Sequence, residues 1–213
     1  GSGILVDVGR SAKQIENAMR ANELDIKREQ AIFITHEHSD HIQGVRVLAP
    51  RYHIPVYSSQ GTLEGMEEAG ALSEKFSADV IGWEGIEIAG MRVVPFRTPH
   101  DSRESVGFCI HTSDGRKIAI ATDLGYFSET VFEAVCGCDV AVVESNHDVR
   151  MLQNGFYPYY LKRRILSKRG HLSNEACAGE LPAFAQSGTT RFVLAHLSQE
   201  NNIPELAYQT ALC

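Results

Sequence analysis

The sequence predicts an α/β or α+β fold on three observations. Apolar runs of strand length recur along the chain, stretches of helical periodicity separate them, and chemically distinctive residues follow directly after the apolar runs. Taken in order, a strand is expected near 4–8 and a helix from Ser11 to Glu23, with Ser11 as its N-cap because its hydroxyl can satisfy an early helical N–H. A strand at 31–35 then leads into a histidine-rich loop. Further strands are expected near 54–57, 86–97, 105–112, 117–122, 139–143 and 191–195, and helices near 60–69, 128–135, 173–186 and 203–211. Asp114-Gly115 marks a hairpin between two of these strands. No repeat, low-complexity tract or Pro/Gly/Ser linker divides the chain, so residues 1–213 are expected to form one domain.

Composition narrows the classes. With 213 residues and 43% hydrophobic content, the chain can bury a substantial core without splitting. No apolar stretch reaches membrane-spanning length and the start lacks a signal-peptide layout, so a cytoplasmic protein with no membrane partner is expected. The cysteines, Cys109, Cys136, Cys138, Cys177 and Cys213, are odd in number and follow no secreted framework; they read as small buried residues. A net charge of −7 argues mildly against a polyanion ligand, so any such ligand calls for a local basic patch on an acidic molecule.

The strongest signal is Thr35-His36-Glu37-His38-Ser39-Asp40-His41, which places three imidazoles and a carboxylate just after Ala31-Ile32-Phe33-Ile34. Imidazoles suit Zn, Mn or Fe, and the carboxylate adds charge that helps to hold a second cation. The alternative is a polar loop that carries three histidines by chance. Against it stand further His and Asp residues at expected strand ends: His100 in Thr98-Pro99-His100-Asp101, Asp123 in Ile120-Ala121-Thr122-Asp123, and His196 in Val193-Leu194-Ala195-His196.

This pattern resembles the metallo-β-lactamase superfamily over nearly the whole chain, with Ile4-Leu5-Val6-Asp7-Val8-Gly9 similar to its first motif. The resemblance implies a four-layer αββα sandwich. It implies that His36, His38 and His100 hold one divalent ion, that Asp40, His41 and His196 hold another, and that Asp123 and a water bridge them. Asp40 would also be catalytic, and Asp7 would orient a ligand histidine. The ions are expected to be Zn or Mn, with iron disfavoured. His53, His111 and His147 fall outside these motifs and read as surface or hydrogen-bonded residues.

Asp139-Val140-Ala141-Val142-Val143-Glu144 and Gly170-His171-Leu172-Ser173 resemble the glutamate and histidine of the superfamily's phosphodiesterase branch. A carboxylate beside an imidazole raises its pKa, which suits Glu144 and His171 to general acid catalysis. Between them, residues 156–169 hold five cations among fourteen residues, interleaved with aromatics. That mixture suits phosphates and bases, making Tyr157, Tyr159, Lys162, Arg163, Arg164 and Lys168 candidates for substrate binding; a solvated basic helix face is the alternative.

The overall pattern resembles a small bacterial metallo-hydrolase family, usually encoded beside a WalK/WalR-type two-component system and linked to 5′-to-3′ exonuclease action on double-stranded DNA. A nucleic acid partner, DNA by that resemblance, is therefore expected. A hydrolase of a small lactone, thioester or cyclic phosphodiester is the alternative, since the same metals suffice for it. Relatives open with a fuller β-hairpin than Gly1-Ser2-Gly3 allows, so part of that hairpin and the extreme C-terminus are expected to be missing, with any residues they add to the site.

Overall fold

Apolar runs become parallel strands where both faces are covered, because such strands have no polar face to alternate with. In the computed structural model, which describes residues 2–213, β1 (Gly3–Val6), β2 (Glu29–Phe33), β3 (Val56–Ser58) and β4 (Ala78–Val80) form one parallel sheet in the order β1-β2-β3-β4. Gly1 of the opening Gly1-Ser2-Gly3 lies outside the described residues. Two compact units are distinguished: Gly1–Pro95 with Ser102–Val106, and Phe96–Asp101 with Gly107–Cys213.

In the first unit, α1 (Ala12–Ala21) follows β1 and starts as expected at Ser11, whose hydroxyl accepts the Gln14 N–H while the Gln14 side chain accepts the Ser11 N–H. A short helix α2 (Ser39–Ile42) and then α3 (Val45–Tyr52) follow β2, and α4 (Gln60–Glu68) follows β3. Val8, Ile32, Ile34, Val45, Leu48, Val56 and Met66 make the centre of one buried cluster. The strand expected over 86–97 is instead a hairpin, β5 (Ile86–Ile88) and β6 (Met91–Arg97), with Ile86 opposite Val93. Ala89 and Gly90 turn the chain there, both at positive φ (55° and 73°).

In the second unit, β7 (Val106–Thr112) and β8 (Lys117–Ala121) pair antiparallel around Asp114-Gly115, as expected, with Ile110 opposite Ile118. β9 (Val140–Glu144) and β10 (Phe192–Ala195) continue that ladder in parallel, giving the order β10-β9-β8-β7. Helices α5 (Glu129–Val135), α6 (Val149–Asn154), α7 (Tyr159–Ile165), α8 (Asn174–Gln186) and α9 (Pro204–Leu212) complete it. Phe127 and Phe132 meet buried Phe184 at ring distances of 5.1 and 4.9 Å. The chain is thus mixed α/β with two sheets and accompanying helices.

Among the described residues, no helix is long and apolar enough to cross a membrane. The cysteine expectation needs correction: Cys109, Cys138 and Cys177 are buried free thiols, but Cys136 is half-buried and Cys213, at the end of α9, is exposed.

Candidate metal centre

In the first unit, the site begins where β1 and β2 end side by side, with Val6 in register with Phe33. Just past that register Asp7 turns into the left-handed region (φ 57°), and its N–H donates to the Phe33 carbonyl at 2.8 Å. Its carboxylate then collects three donors at 2.8 Å: the Thr35 N–H, the Thr35 hydroxyl and His41 Nδ1. Because Asp7 can only accept when ionised, His41 carries its proton on Nδ1 and presents Nε2.

Two residues on, Gly9 lies so near α2 that a Cβ there would sit 1.5 Å from the Asp40 carbonyl oxygen. Only glycine lets β1 and the ligand segment touch, and the contact is sealed by Val8 N–H to His41 O at 2.9 Å. The expected ligand loop is therefore partly helical, with Asp40 and His41 in a single turn whose first carbonyl, that of His38, accepts the His41 N–H at 2.9 Å.

His36 is fully buried and faces the Thr35 hydroxyl through Nδ1 at 3.0 Å. With that hydroxyl donating to Asp7, its oxygen accepts from His36 Nδ1–H, which turns His36 Nε2 toward His38 Nδ1 at 2.9 Å. Asp40 is exposed, and its Oδ2 lies 3.8 Å from His41 Nε2.

In the second unit, β8, β9 and β10 end together and deliver Asp123, Glu144 and His196, while the segment after α7 supplies His171. Asp123 and His196 both occupy the left-handed region, at φ 58° and 55°. Glu144 is fully buried, and one of its oxygens, Oε1, accepts from both His171 Nδ1 (2.7 Å) and His196 Nδ1 (2.8 Å). The other, Oε2, accepts the N–H groups of Leu124 (3.0 Å) and Leu172 (3.1 Å).

Burial alone would raise the Glu144 pKa, but the His171 and His196 charges and hydrogen bonds outweigh it and hold the carboxyl well below its usual range. For His171, burial favours the neutral ring, yet the Glu144 charge and hydrogen bond, with Asp123 behind them, raise its pKa. Asp123 Oδ1 stands 3.7 Å from His171 Nδ1 and 3.5 Å from His196 Nδ1.

His100 donates from Nδ1 to the Gly170 carbonyl at 3.1 Å and points Nε2 toward Asp101 (3.4 Å) and Asp123 (4.0 Å). Burial lowers its pKa, keeping it in the neutral form that a metal ligand needs. His41, His100, His171 and His196 thus share one arrangement, Nδ1–H held by an oxygen and Nε2 presented.

The basic segment divides into two kinds of residue. Lys162 turns back to donate to the Gln153 and Gly155 carbonyls (2.8 and 2.7 Å), and Arg164 forms a two-pronged ion pair with Asp101. Arg169, outside the expected set, braces the His100 carbonyl at 3.0–3.1 Å. Arg163, Lys168 and Tyr159 are exposed, Tyr157 is half-buried, and the Arg163 guanidinium lies 6.0 Å from the Tyr159 ring centre. Three expected substrate contacts, Arg163, Lys168 and Tyr159, therefore face solvent, while Lys162 and Arg164 are engaged within the unit.

Two groups were not expected to matter. Asn146 donates from Nδ2 to the His196 carbonyl at 2.8 Å, and Asn202 Nδ2 in turn donates to the Ser145 and Asn146 carbonyls at 2.8 and 3.1 Å. Nothing in a single sequence pairs residues fifty positions apart. His147 is not a surface residue: it is 1% exposed, its carbonyl accepts the Asn174 N–H at 2.8 Å, neither ring nitrogen meets a hydrogen-bond partner among the described residues, and burial pushes its pKa down to about 4. His53 and His111 are exposed, as expected.

A family profile described as Beta-lactamase superfamily domain matches residues 3–197. The chain belongs to the beta-lactamase superfamily. Among its relatives in that superfamily is a protein of Bacillus anthracis named exodeoxyribonuclease YycJ, 40% identical over 96% of this chain and 77% of the relative. Another, exodeoxyribonuclease WalJ of Streptococcus pneumoniae, is 38% identical over 97% of this chain and 78% of its own. Among solved structures, a diphosphatase from the PhnP family superposes with a TM-score of 0.69, covering 96% of this chain and 72% of that one at 20% identity. That likeness shows the superfamily's fold.

Membership of the superfamily implies divalent cations, and the donors fit them. His36 Nε2 and His38 Nδ1 stand 2.9 Å apart, close enough to share an ion at a metal–nitrogen length of about 2.0–2.1 Å. Asp123, Glu144, His171 and His196 offer ligand atoms all within 4.8 Å of one another. The mixture of imidazole and carboxylate suits Zn or Mn.

Proposed function

We propose that this protein is a metal-dependent phosphodiesterase that removes nucleotides from the ends of DNA, acting 5′-to-3′ on duplex substrates in the cytoplasm as a single functional domain. The Glu144–His171 contact carries the reading. An imidazole whose proton is favoured by a buried carboxylate is suited to protonate a departing alkoxide, a demand that phosphodiester cleavage makes and activated esters do not. The names of its relatives favour DNA as the polymer.

In this reading, following the family resemblance, His36, His38 and His100 would hold one divalent ion, Asp40, His41 and His196 would hold a second, and Asp123 would be available to both. Bound there, two ions lower the pKa of water and offset charge on the phosphate oxygens. The chain's own residues do the rest. Asp7 and Glu144 fix the His41 and His196 tautomers, so that Nε2 is the ligand atom in each. His171, held through Nδ1, carries its acidic proton at Nε2 and releases it to the leaving oxygen. Tyr157, Tyr159, Lys162, Arg163, Arg164 and Lys168 form the substrate-facing segment, Arg163 and Lys168 meeting phosphate while Lys162 and Arg164 shape the lip.

The test is hydrolysis by protein reconstituted separately with Mn and with Zn. The substrates are end-labelled duplex DNA, single-stranded RNA and a chromogenic ester, and Asp40→Ala is run alongside. Metal-dependent nucleotide release lost in the variant is expected. Ester turnover without nucleic acid cleavage would instead make the protein a hydrolase of a small lactone, thioester or cyclic phosphodiester.

A further inference from the structure

Phe156 is more exposed than any other large hydrophobic residue among those described, at 105%, and Tyr159 and Tyr160 follow at 76% and 74%. Three large rings within five residues are thereby left in water, although burial of an aromatic side chain favours folding. Folding of the second unit does not use them. Its buried aromatic contacts are made elsewhere, by Phe184 with Phe127 and Phe132.

The segment that carries these rings is firmly tied down at its other end. Ile165, the last residue of α7, is buried, and its carbonyl accepts the His171 N–H at 2.9 Å. Gly170 packs so closely on the Arg164 and Ile165 carbonyls that a Cβ would approach both to 2.2 Å. At the ring-bearing end, Lys162 holds the loop before α7 by capping the Gln153 and Gly155 carbonyls. The rings therefore sit on a rigid arm attached directly to the acid of the proposed reaction. The exposed cations on that arm, Arg163 and Lys168, give it a charge opposite to that of a phosphate chain on a molecule whose net charge is −7.

We propose that Phe156, Tyr159 and Tyr160 form a stacking platform that captures unpaired bases at the end of the DNA strand entering the site. Aromatic faces bind bases with little regard to sequence, and neighbouring cations hold the backbone. The inference rests on the nuclease reading and deepens it by naming the form of the end: a short single-stranded tail. Seven helical residues span about 10 Å at 1.5 Å per residue. With stacked bases about 3.4 Å apart on one strand, the length of α7 corresponds to about three nucleotides. The benefit of a tail should accordingly rise over the first few unpaired nucleotides and then level off.

The experiment compares metal-loaded wild type with a Phe156→Ala/Tyr160→Ala variant, reading Kd in Ca-containing buffer for blunt duplex DNA and for the same duplex with tails of one to eight nucleotides. Metal content and elution volume are measured for both proteins. The wild type should prefer tailed ends, with the gain saturating near three or four nucleotides. The variant should lose about 5- to 160-fold of tailed-end affinity per stacked base, while blunt-end affinity, metal content and elution volume stay unchanged. Equal tailed-end affinity in the two proteins overturns the platform while leaving the nuclease reading intact. A variant that elutes as a smaller species than the wild type also overturns it, the patch then being a contact between copies of the chain. If the wild type binds neither DNA and cleaves only small esters, the nuclease reading itself fails.

Discussion

Glu144 Oε1 serves two imidazoles at once, and this decides what its replacement does. Glu144→Gln loses the negative charge that raises the His171 pKa and weakens the acceptor that fixes His196. Turnover should fall and metal affinity should drop about 10- to 100-fold, the usual cost of losing a ligand's hydrogen-bond partner. His171→Ala should cost turnover while leaving metal content intact. Elemental analysis beside kcat separates the two; full metal affinity in Glu144→Gln would remove Glu144 from the support of His196.

His147 couples folding stability to pH. Its folded pKa of about 4 lies below the ordinary value of 6.5, so the unfolded chain binds the proton more readily. Its contribution is fully present above pH 6.5 and is lost as pH falls toward 4, by up to about 3 kcal/mol. His147→Leu should flatten the metal-free protein's stability profile between those two pH values, measured by urea unfolding. An unchanged slope would mean that the ring is not held neutral.

The candidate donors were legible because imidazoles and carboxylates follow apolar runs. The left-handed turns at Asp7, Asp123 and His196 were not legible, nor was the Asn146 brace, because they depend on partners distant in the chain.

Among the elements, two glycines make opposite predictions. At Gly9 a methyl group would meet the Asp40 carbonyl at 1.5 Å, so Gly9→Ala must push β1 and α2 apart. The protein should lose metal binding and several kcal/mol of stability, as overpacking against rigid backbone does. At Gly179, inside α8, a Cβ meets nothing within 4 Å. Gly179→Ala should therefore stabilise by about 0.5–1 kcal/mol through helix propensity, raising Tm by a few degrees. Thermal melts of both variants check the pair.

Periodicity found the long elements and missed those that lack it. β4 is three largely exposed residues, α6 is six residues long, and α3 carries Pro50 among β-branched and charged residues. The 86–97 run read as one strand because Ala89, with φ 55°, does not look like a turn residue.

For the molecule as a whole, the net charge of −7 and the internal engagement of Lys162, Arg164 and Arg169 leave few cations for DNA. Binding should consequently be weakly salt-dependent for a nuclease. Replacing both Arg163 and Lys168 by Ala should reduce the slope of log K against log salt by about 2, at roughly 0.9 per phosphate contact. A slope unchanged in that variant would show that the phosphates are met elsewhere.

The shared Glu144 oxygen also bears on redesign. In the proposed reaction, proton delivery by His171 and the grip of His196 on a metal ion are wired to one dial, so neither can be tuned alone. A variant selected for a poorer or better leaving group will drag metal retention with it unless His196 is first given an anchor of its own.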